Sequence, residues 1–189
     1  MRVERVDCII PAAGRSQRMG EWKPLLPFDD STIIQAVVTV ALEACERVLL
    51  VAGYRGEELA SLFDGQPRVE VVEHADWRQG MFSSIRAAAA RVSTRRFFVT
   101  LGDMPWIRPE TYRALRDSGS GDSVVFPVHD GRRGHPVLFP RHALSAIAAA
   151  DPATGSMRRI AETLSVRELE WPDDSVLRDV DTPEDLDRR

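Results

Sequence analysis

A chain of 189 residues, 43% hydrophobic and 29% charged, has the composition of a globular protein large enough to bury a three-layer core. Its net charge of −4 argues against a general nucleic-acid or anionic-membrane surface, so a local cluster of cations is better matched to a small anionic ligand. No apolar run approaches the ~18 residues of a membrane span, and the charged residues 1–7 are unlike a signal peptide, which sets the expectation of one cytoplasmic domain over residues 1–189.

The first expected element is a buried strand over residues 6–10 that opens into Pro11-Ala12-Ala13-Gly14-Arg15-Ser16-Gln17-Arg18-Met19-Gly20-Glu21-Trp22-Lys23-Pro24. Ala12, Ala13 and Gly14 have little or no side chain, so a ligand can lie against the backbone there, and Gly14 tolerates φ > 0. Arg15, Arg18 and Lys23 offer cations to a polyphosphate, arginine as a planar fork and lysine as a point charge. Strand, small-residue turn and cations together suggest a phosphate cradle. Two commoner phosphate motifs are excluded by spacing. Five residues separate Gly14 from Gly20, and Lys23 is not adjacent to Gly20, which rules out the Walker-type loop. The dinucleotide fingerprint needs a third glycine that this loop lacks.

Next, Thr32 and Gln35 have capping-box spacing ahead of an amphipathic helix through Ile33, Ile34, Val37, Val38, Ala41 and Leu42. The apolar run 48–53 reads as a strand covered on both faces, followed by a helix over 57–63 and a strand over 69–73. This alternation implies a mostly parallel sheet. Residues 75–82 form a loop, and a helix opens at Ser83 and ends near Val92. A strand over 97–101 then delivers Asp103, in Gly102-Asp103-Met104-Pro105, to the carboxyl edge of the sheet, where open α/β folds bind ligands. Pro109 starts a helix to Asp117. Strands at 124–128 and 136–139 flank the hairpin loop His129-Asp130-Gly131-Arg132-Arg133-Gly134, so one antiparallel element is expected. Helices at 141–149 and 156–164, a strand at 166–171 and a short segment at 176–180 precede Asp181-Thr182-Pro183-Glu184-Asp185-Leu186. There is no internal repeat and no long linker. Cys8 and Cys45 lack disulfide or zinc spacing and read as reduced core thiols.

Asp103, fixed at a strand end, suits Mg²⁺, which takes one or two protein carboxylates together with phosphate oxygens and water. Asp181 is the candidate second carboxylate. The same Asp-Thr-Pro-Glu-Asp stretch is also a conventional helix start with Pro183 at the first helical position, and both readings hold if Asp181 points inward and Thr182 caps. Asp179, Glu184 and Asp185 read as solvated charges of that helix start. In Gly80-Met81-Phe82-Ser83-Ser84 the serines offer hydroxyls and free N–H groups at a helix N-terminus, for a ligand or for plain capping. His135, in Gly134-His135-Pro136-Val137, has no metal-ligand spacing with His129 or His142. Trp77 and Trp106 read as packing residues.

The loop resembles the signature Ala-Ala-Gly-x-Ser-x-Arg-Met-Gly-x-x-Lys of the nucleotidyltransferases that mature the molybdenum cofactor, and it matches at every fixed position. The Gly102-Asp103-Met104-Pro105 and Asp179-to-Leu186 segments resemble that family's metal-binding motifs in the same order, so the resemblance runs from Ile9 to Leu186. It implies a three-layer α/β/α Rossmann-like (GT-A-like) fold with a mostly parallel mixed sheet. It implies transfer of a nucleoside monophosphate, CMP from CTP by preference, to the terminal phosphate of molybdopterin or the molybdenum cofactor, with release of pyrophosphate. It further implies Arg18 and Lys23 as catalytic cations; Ala12, Ala13, Gly14, Arg15, Ser16, Gly80, Ser83, Ser84 and Asp103 around the nucleotide; His135 toward the acceptor; and Mg²⁺ on Asp103 and Asp181. A molybdenum enzyme is the implied recipient of the product. The cytidylyl preference rests on Ala13, where guanylyl-transferring members have glycine. Alternative readings are a guanylyltransferase of the same pathway, a sugar- or polyol-phosphate nucleotidyltransferase, and a cofactor carrier without essential turnover.

Overall fold

Continuous apolar runs make strands that need cover on both faces, and the computed structural model, which describes residues 4–15, 22–118 and 121–186, meets that need with helices on either side of one sheet. In chain order the elements are β1 (Asp7–Pro11), a 3-10 turn (Lys23–Leu25), the ribbon β2 (Pro27–Phe28) and β3 (Ser31–Thr32), α1 (Ile33–Leu42), β4 (Arg47–Ala52), α2 (Gly56–Leu62) and β5 (Val69–Glu73). There follow a 3-10 turn (Trp77–Gln79), α3 (Met81–Ala89), β6 (Arg96–Val99), α4 (Pro109–Ser118), β7 (Val124–His129), β8 (Arg132–Arg133) and β9 (Val137–Pro140). The last elements are α5 (Ala143–Ala149), α6 (Met157–Glu162), β10 (Val166–Glu170), a 3-10 turn (Asp174–Val176) and α7 (Pro183–Leu186).

The main sheet runs β10-β7-β9-β6-β1-β4-β5, with β8 paired to β7. Along that path β9 runs against both of its neighbours and the other pairs are parallel. The expected mixed sheet with an antiparallel element is therefore present. Alternation along each strand sorts side chains between two cores. Cys8, Ile10, Val48, Leu50 and Phe98 face α1, α2 and α4, where Val37, Leu59 and Leu115 meet them. Ile9, Leu49, Val51, Phe97 and Phe139 face α3, α5 and α6, where Ile85, Ile147 and Ile160 meet them. Among the described residues no helix is long and apolar enough to cross a membrane.

From β1 the chain moves outward to β4 and β5, and from β6 it moves outward the other way, to β7. The crevice between the carboxyl ends of β1 and β6 is thus the switch point of the sheet, the place where open α/β folds leave room for a ligand.

Local chemistry explains the boundaries. The Gln35 N–H donates to Thr32 Oγ1 while the Thr32 N–H donates to Gln35 Oε1, so the capping box that opens α1 is complete. Helix α3 begins at Met81, two residues before the expected Ser83, because Gly80 at φ 107 makes the turn that starts it. The hairpin after β7 is tighter than expected. Asp130 (φ 49) and Gly131 (φ 71) form its two-residue turn, and His129 pairs with Arg132 in β8 before the chain reaches β9. Residues 176–180 form no strand. They are held instead by backbone bonds from His135 N–H to Val176 O (2.8 Å) and from Val180 N–H to Asp103 O (2.9 Å).

That tail crosses Gly134 at close range: a Cβ at Gly134 would lie 2.2 Å from Val176 O, with backbone on the other side of the clash. We expect Gly134→Ala to destabilise the protein by ~1–3 kcal/mol in urea unfolding. Gly121→Ala, where a Cβ would meet nothing within 4 Å, should stay within about 0.5 kcal/mol of the parent. Equal midpoints for the two variants would show that the tail is not packed this closely.

Candidate functional site

The strand end and its turn are fixed from below by three backbone contacts. Ala12 N–H donates to Val51 O (3.0 Å), Tyr54 N–H donates to Ala13 O (3.0 Å), and the Trp22 indole N–H donates to Gly14 O (3.0 Å). Both carbonyls of the turn are thereby pulled toward the core. Glycines permit this approach. A Cβ on Gly53 would sit 2.6 Å from Trp77 Cβ and 2.8 Å from Ala13 Cβ, and one on Gly102 would sit 3.3 Å from Pro11 O. Trp22, Tyr54 and Trp77 stack edge to face in series, at 6.0 and 5.9 Å between ring centroids. Each ring carries a guanidinium: Arg55 over Trp22 at 5.0 Å, Arg15 over Tyr54 at 5.0 Å and Arg78 over Trp77 at 4.6 Å.

Beside the turn, Lys23 is only 9% exposed, and its ammonium donates to Asp103 Oδ2 at 3.0 Å and to Asp181 Oδ1 at 3.1 Å. Burial pulls the Lys23 pKa down, but the two carboxylates outweigh it and hold the proton above the ordinary 10.5. Asp179 joins the group: one oxygen each from Asp103, Asp179 and Asp181 lie within 4.8 Å of one another. Burial, then the charges of Asp181 and Asp103, raise the Asp179 carboxyl above its ordinary 3.8. The placement follows from the tail. Val180 is fully buried and bonded to the Asp103 carbonyl, so the residues on either side of it bring their carboxylates to the same place. The helix start is also real, since Asp185 accepts from the Asp181 and Thr182 N–H groups and Pro183 opens α7.

This donor set suits a small divalent cation. Octahedral Mg²⁺ separates its ligand oxygens by about 3 Å for neighbours and about 4 Å for opposite positions, a spacing the three carboxylates span.

A cavity of about 410 Å³ lies at the switch point and gathers Ala12, Ala13, Gly14, Lys23, Gly80, Ser84 and Asp103 of the expected residues. Trp77, Arg78 and Met81 also line it. Trp77 thus packs against Gly53 and Tyr54, as expected, and also forms part of the cavity wall. Three expected residues stand apart from the cavity wall. Arg15 lies over the Tyr54 ring, and Ser83, 3% exposed, donates to Gly80 O (2.7 Å) with its hydroxyl 2.9 Å from His74 Nε2. Asp181 reaches the cavity through Lys23. Ser16 and Arg18 lie outside the described residues.

His135 sits in a second cavity of about 780 Å³, with Phe82, Phe126, Phe139, Arg133 and Arg158 among its walls. Met81 and Leu101 line both cavities, which are therefore neighbours. Gly155 makes room for the apolar wall, because a Cβ there would lie 2.1 Å from Phe82 Cε1.

The family described as "MobA-like NTP transferase domain" matches residues 8–169. The molybdenum cofactor cytidylyltransferase of Escherichia coli K12 is 36% identical over 181 residues, covering 96% of this chain and 93% of that protein. A probable molybdenum cofactor guanylyltransferase of Methanosarcina mazei is 26% identical, covering 93% of this chain and 81% of its own. Among solved structures, a protein of Mycobacterium tuberculosis H37Rv superposes with a TM-score of 0.82 at 30% identity and 97% coverage of both chains. A crystal structure of that mycobacterial protein complexed with manganese superposes at 0.77 and 27% identity, over 97% of each chain.

Burial lowers the His135 pKa below the ordinary 6.5, partly offset by the Val99 carbonyl and the Asp103 charge, so the folded protein holds this imidazole neutral. The unfolded chain takes up the proton first as pH drops. The stabilisation is thus full above pH ~6.5 and is lost as pH falls through and below that value toward the folded pKa. Urea unfolding between about pH 7.5 and 5 should show stability declining in the parent and a shallower decline in His135→Gln. Identical slopes would mean that His135 titrates as it does in the unfolded chain.

Proposed function

As this chain belongs to the MobA-like NTP transferase family, we propose that it transfers a nucleoside monophosphate, with CTP the favoured donor, to the terminal phosphate of molybdopterin or the molybdenum cofactor. The observation that carries this reading is the meeting, at the switch point of the sheet, of a turn with little side chain, the Lys23 ammonium and three carboxylates. An acceptor phosphate oxygen attacks the α-phosphorus of the triphosphate. The new P–O bond forms as the bond to the β-phosphate oxygen breaks, and pyrophosphate leaves with the electron pair. The attacking oxygen is already anionic near neutral pH, so the protein needs no strong general base. Positioning and charge neutralisation supply the rate.

In this reading the backbone of Ala12, Ala13 and Gly14 lets the nucleotide approach closely, with Gly80 and Ser84 at the start of α3 on its other side. Ser83 supports that side by holding Gly80 O and His74. Lys23 and Arg18 neutralise the triphosphate, supported by Arg15 and Ser16. Asp103 and Asp181, with Asp179 beside them, hold Mg²⁺, which when bound offsets charge on the phosphate oxygens. His135 and the second cavity take the acceptor, whose phosphate reaches toward the first cavity past Met81 and Leu101, the residues that line both. Residues 1–189 then act as one transferase domain in the cytoplasm and pass the product to a molybdenum enzyme.

Ala13 bears on the base preference. The residue is 4% exposed, its methyl lies beside Gly53, and Ala13 and Trp77 both line the cavity, so its size bears on the pocket floor. One methyl is worth about 1–3 kcal/mol, or some 10–200-fold in selectivity, which makes the choice of base a preference and not an absolute rule.

With Mg²⁺ and molybdopterin, pyrophosphate release should be faster from CTP than from GTP or ATP, and chelation of the metal should stop it. Ala13→Gly should raise GTP use relative to CTP. A parent that prefers GTP would defeat the cytidylyl assignment, and one that releases no pyrophosphate with any triphosphate would return the protein to the carrier reading. Asp103→Ala should abolish transfer in a folded protein, with Asp181→Asn milder, since an amide oxygen still coordinates. Lys23→Ala should lower kcat/KM by about 100-fold or more, as for loss of a charge-assisted contact at the transition state. Unchanged kinetics in that variant would remove Lys23 from the reaction.

A further inference from the structure

The Lys23 ammonium and a divalent cation make competing demands on the same two carboxylates. Lys23 lies 3.0 Å from Asp103 Oδ2 and 3.1 Å from Asp181 Oδ1, so it bridges the two carboxylates from a position between them. Octahedral coordination asks for an oxygen of each carboxylate at about 2.0–2.1 Å from the ion. An ammonium within hydrogen-bond reach of both carboxylates would then stand only a few ångströms from a dication held by the same groups, and like charges at that range repel strongly in a partly buried site. The side chain has somewhere else to go. Lys23 lines the 410 Å³ cavity together with Gly14, Gly80 and Ser84, the space that a triphosphate occupies in the reading above.

We propose that Lys23 is an exchangeable counter-ion: it holds Asp103 and Asp181 together before substrate arrives and leaves them for the phosphates when the nucleotide and its metal enter. Two consequences follow. Without nucleotide, a cation must compete with Lys23 for the carboxylates and binds weakly. With nucleotide, the phosphates draw Lys23 away, and the cation and the triphosphate each favour the other's binding, by the same factor in both directions. Loading is thus ordered by charge, and the carboxylates are never left facing one another without a partner. This inference rests on the metal assignment proposed above.

Mn²⁺ binding to the intact protein, followed by the loss of the free-ion signal in electron paramagnetic resonance, tests the exchange without turnover. Lys23→Met keeps the length of the stem and removes the charge. It should bind Mn²⁺ at least about tenfold more tightly than the parent in the absence of nucleotide. The same variant should gain more thermal stability from Mn²⁺ than the parent does. Lys23→Arg should behave like the parent, and Asp103→Ala should bind only at background. Equal affinity of parent and Lys23→Met, with binding still dependent on Asp103, would overturn the exchange and leave the metal assignment intact. Absence of any Asp103-dependent binding would remove the metal assignment, and the exchange with it. Should Lys23→Met fail to fold, the parent gives the answer through acetylation of Lys23 read by mass spectrometry. Mn²⁺ alone should speed that reaction and added CTP should slow it again, whereas a rate indifferent to Mn²⁺ would overturn the proposal.

Discussion

One buried ammonium joins three parts of the chain that are far apart in sequence. Lys23 follows the turn after β1, Asp103 follows β6, 80 positions later, and Asp181 lies in the tail, 158 positions away. An amine with 9% exposure needs partners, because a charge taken out of water without them costs several kcal/mol. The same pairing converts a requirement of the fold into a property of the site. The groups that must be neutralised for the chain to close are the groups that a polyanion and its cation would use.

The scaffold keeps those groups apart from the apolar cores while holding them still. Strand alternation sends Ile9 and Val51 to one core and Ile10 and Leu50 to the other, so the sheet is committed on both faces and only its carboxyl edge remains for chemistry. At that edge the turn carbonyls are fastened by Tyr54 and Trp22. Three guanidinium groups from separate segments, Arg15, Arg55 and Arg78, lie over the three rings beside it.

The turn, lysine and strand-end aspartate of this edge were legible in the sequence because their constraints are local. Small residues after an apolar strand, a lysine at fixed spacing and an aspartate at the end of another strand each carry their meaning within a few positions. What escaped reading depends on distance. Asp179 reads as a solvated charge until the burial of Val180 and its bond to the Asp103 carbonyl put it beside Asp103 and Asp181; its position two before Asp181, across an apolar residue, was the available signal. Trp77 reads as packing, and only its approach to Gly53, 24 positions earlier, shows that it packs at the cavity wall. The two serines of the α3 start look equivalent in sequence. One turn of backbone at Gly80 separates them, turning Ser83 toward His74 and leaving Ser84 on the cavity.

Strand β9 runs backward through an otherwise parallel path, pairing Val137 with Val99 and Pro140 with Arg96. Its beginning, not its end, therefore lies at the working edge, and the residues leading into it, Gly134 to Pro136, arrive there from the surface hairpin of β7 and β8. Parallel strands must deliver site residues on the way out, where every loop feeds a crossover helix and its length is constrained. A reversed strand delivers them on the way in, from a hairpin with no helix to satisfy. The fold so has one segment at its working edge that is answerable to the tail instead of to a helix, since Gly134 lies against Val176 and the His135 N–H donates to the Val176 carbonyl, and any change of its length would be felt where Asp179 and Asp181 are placed.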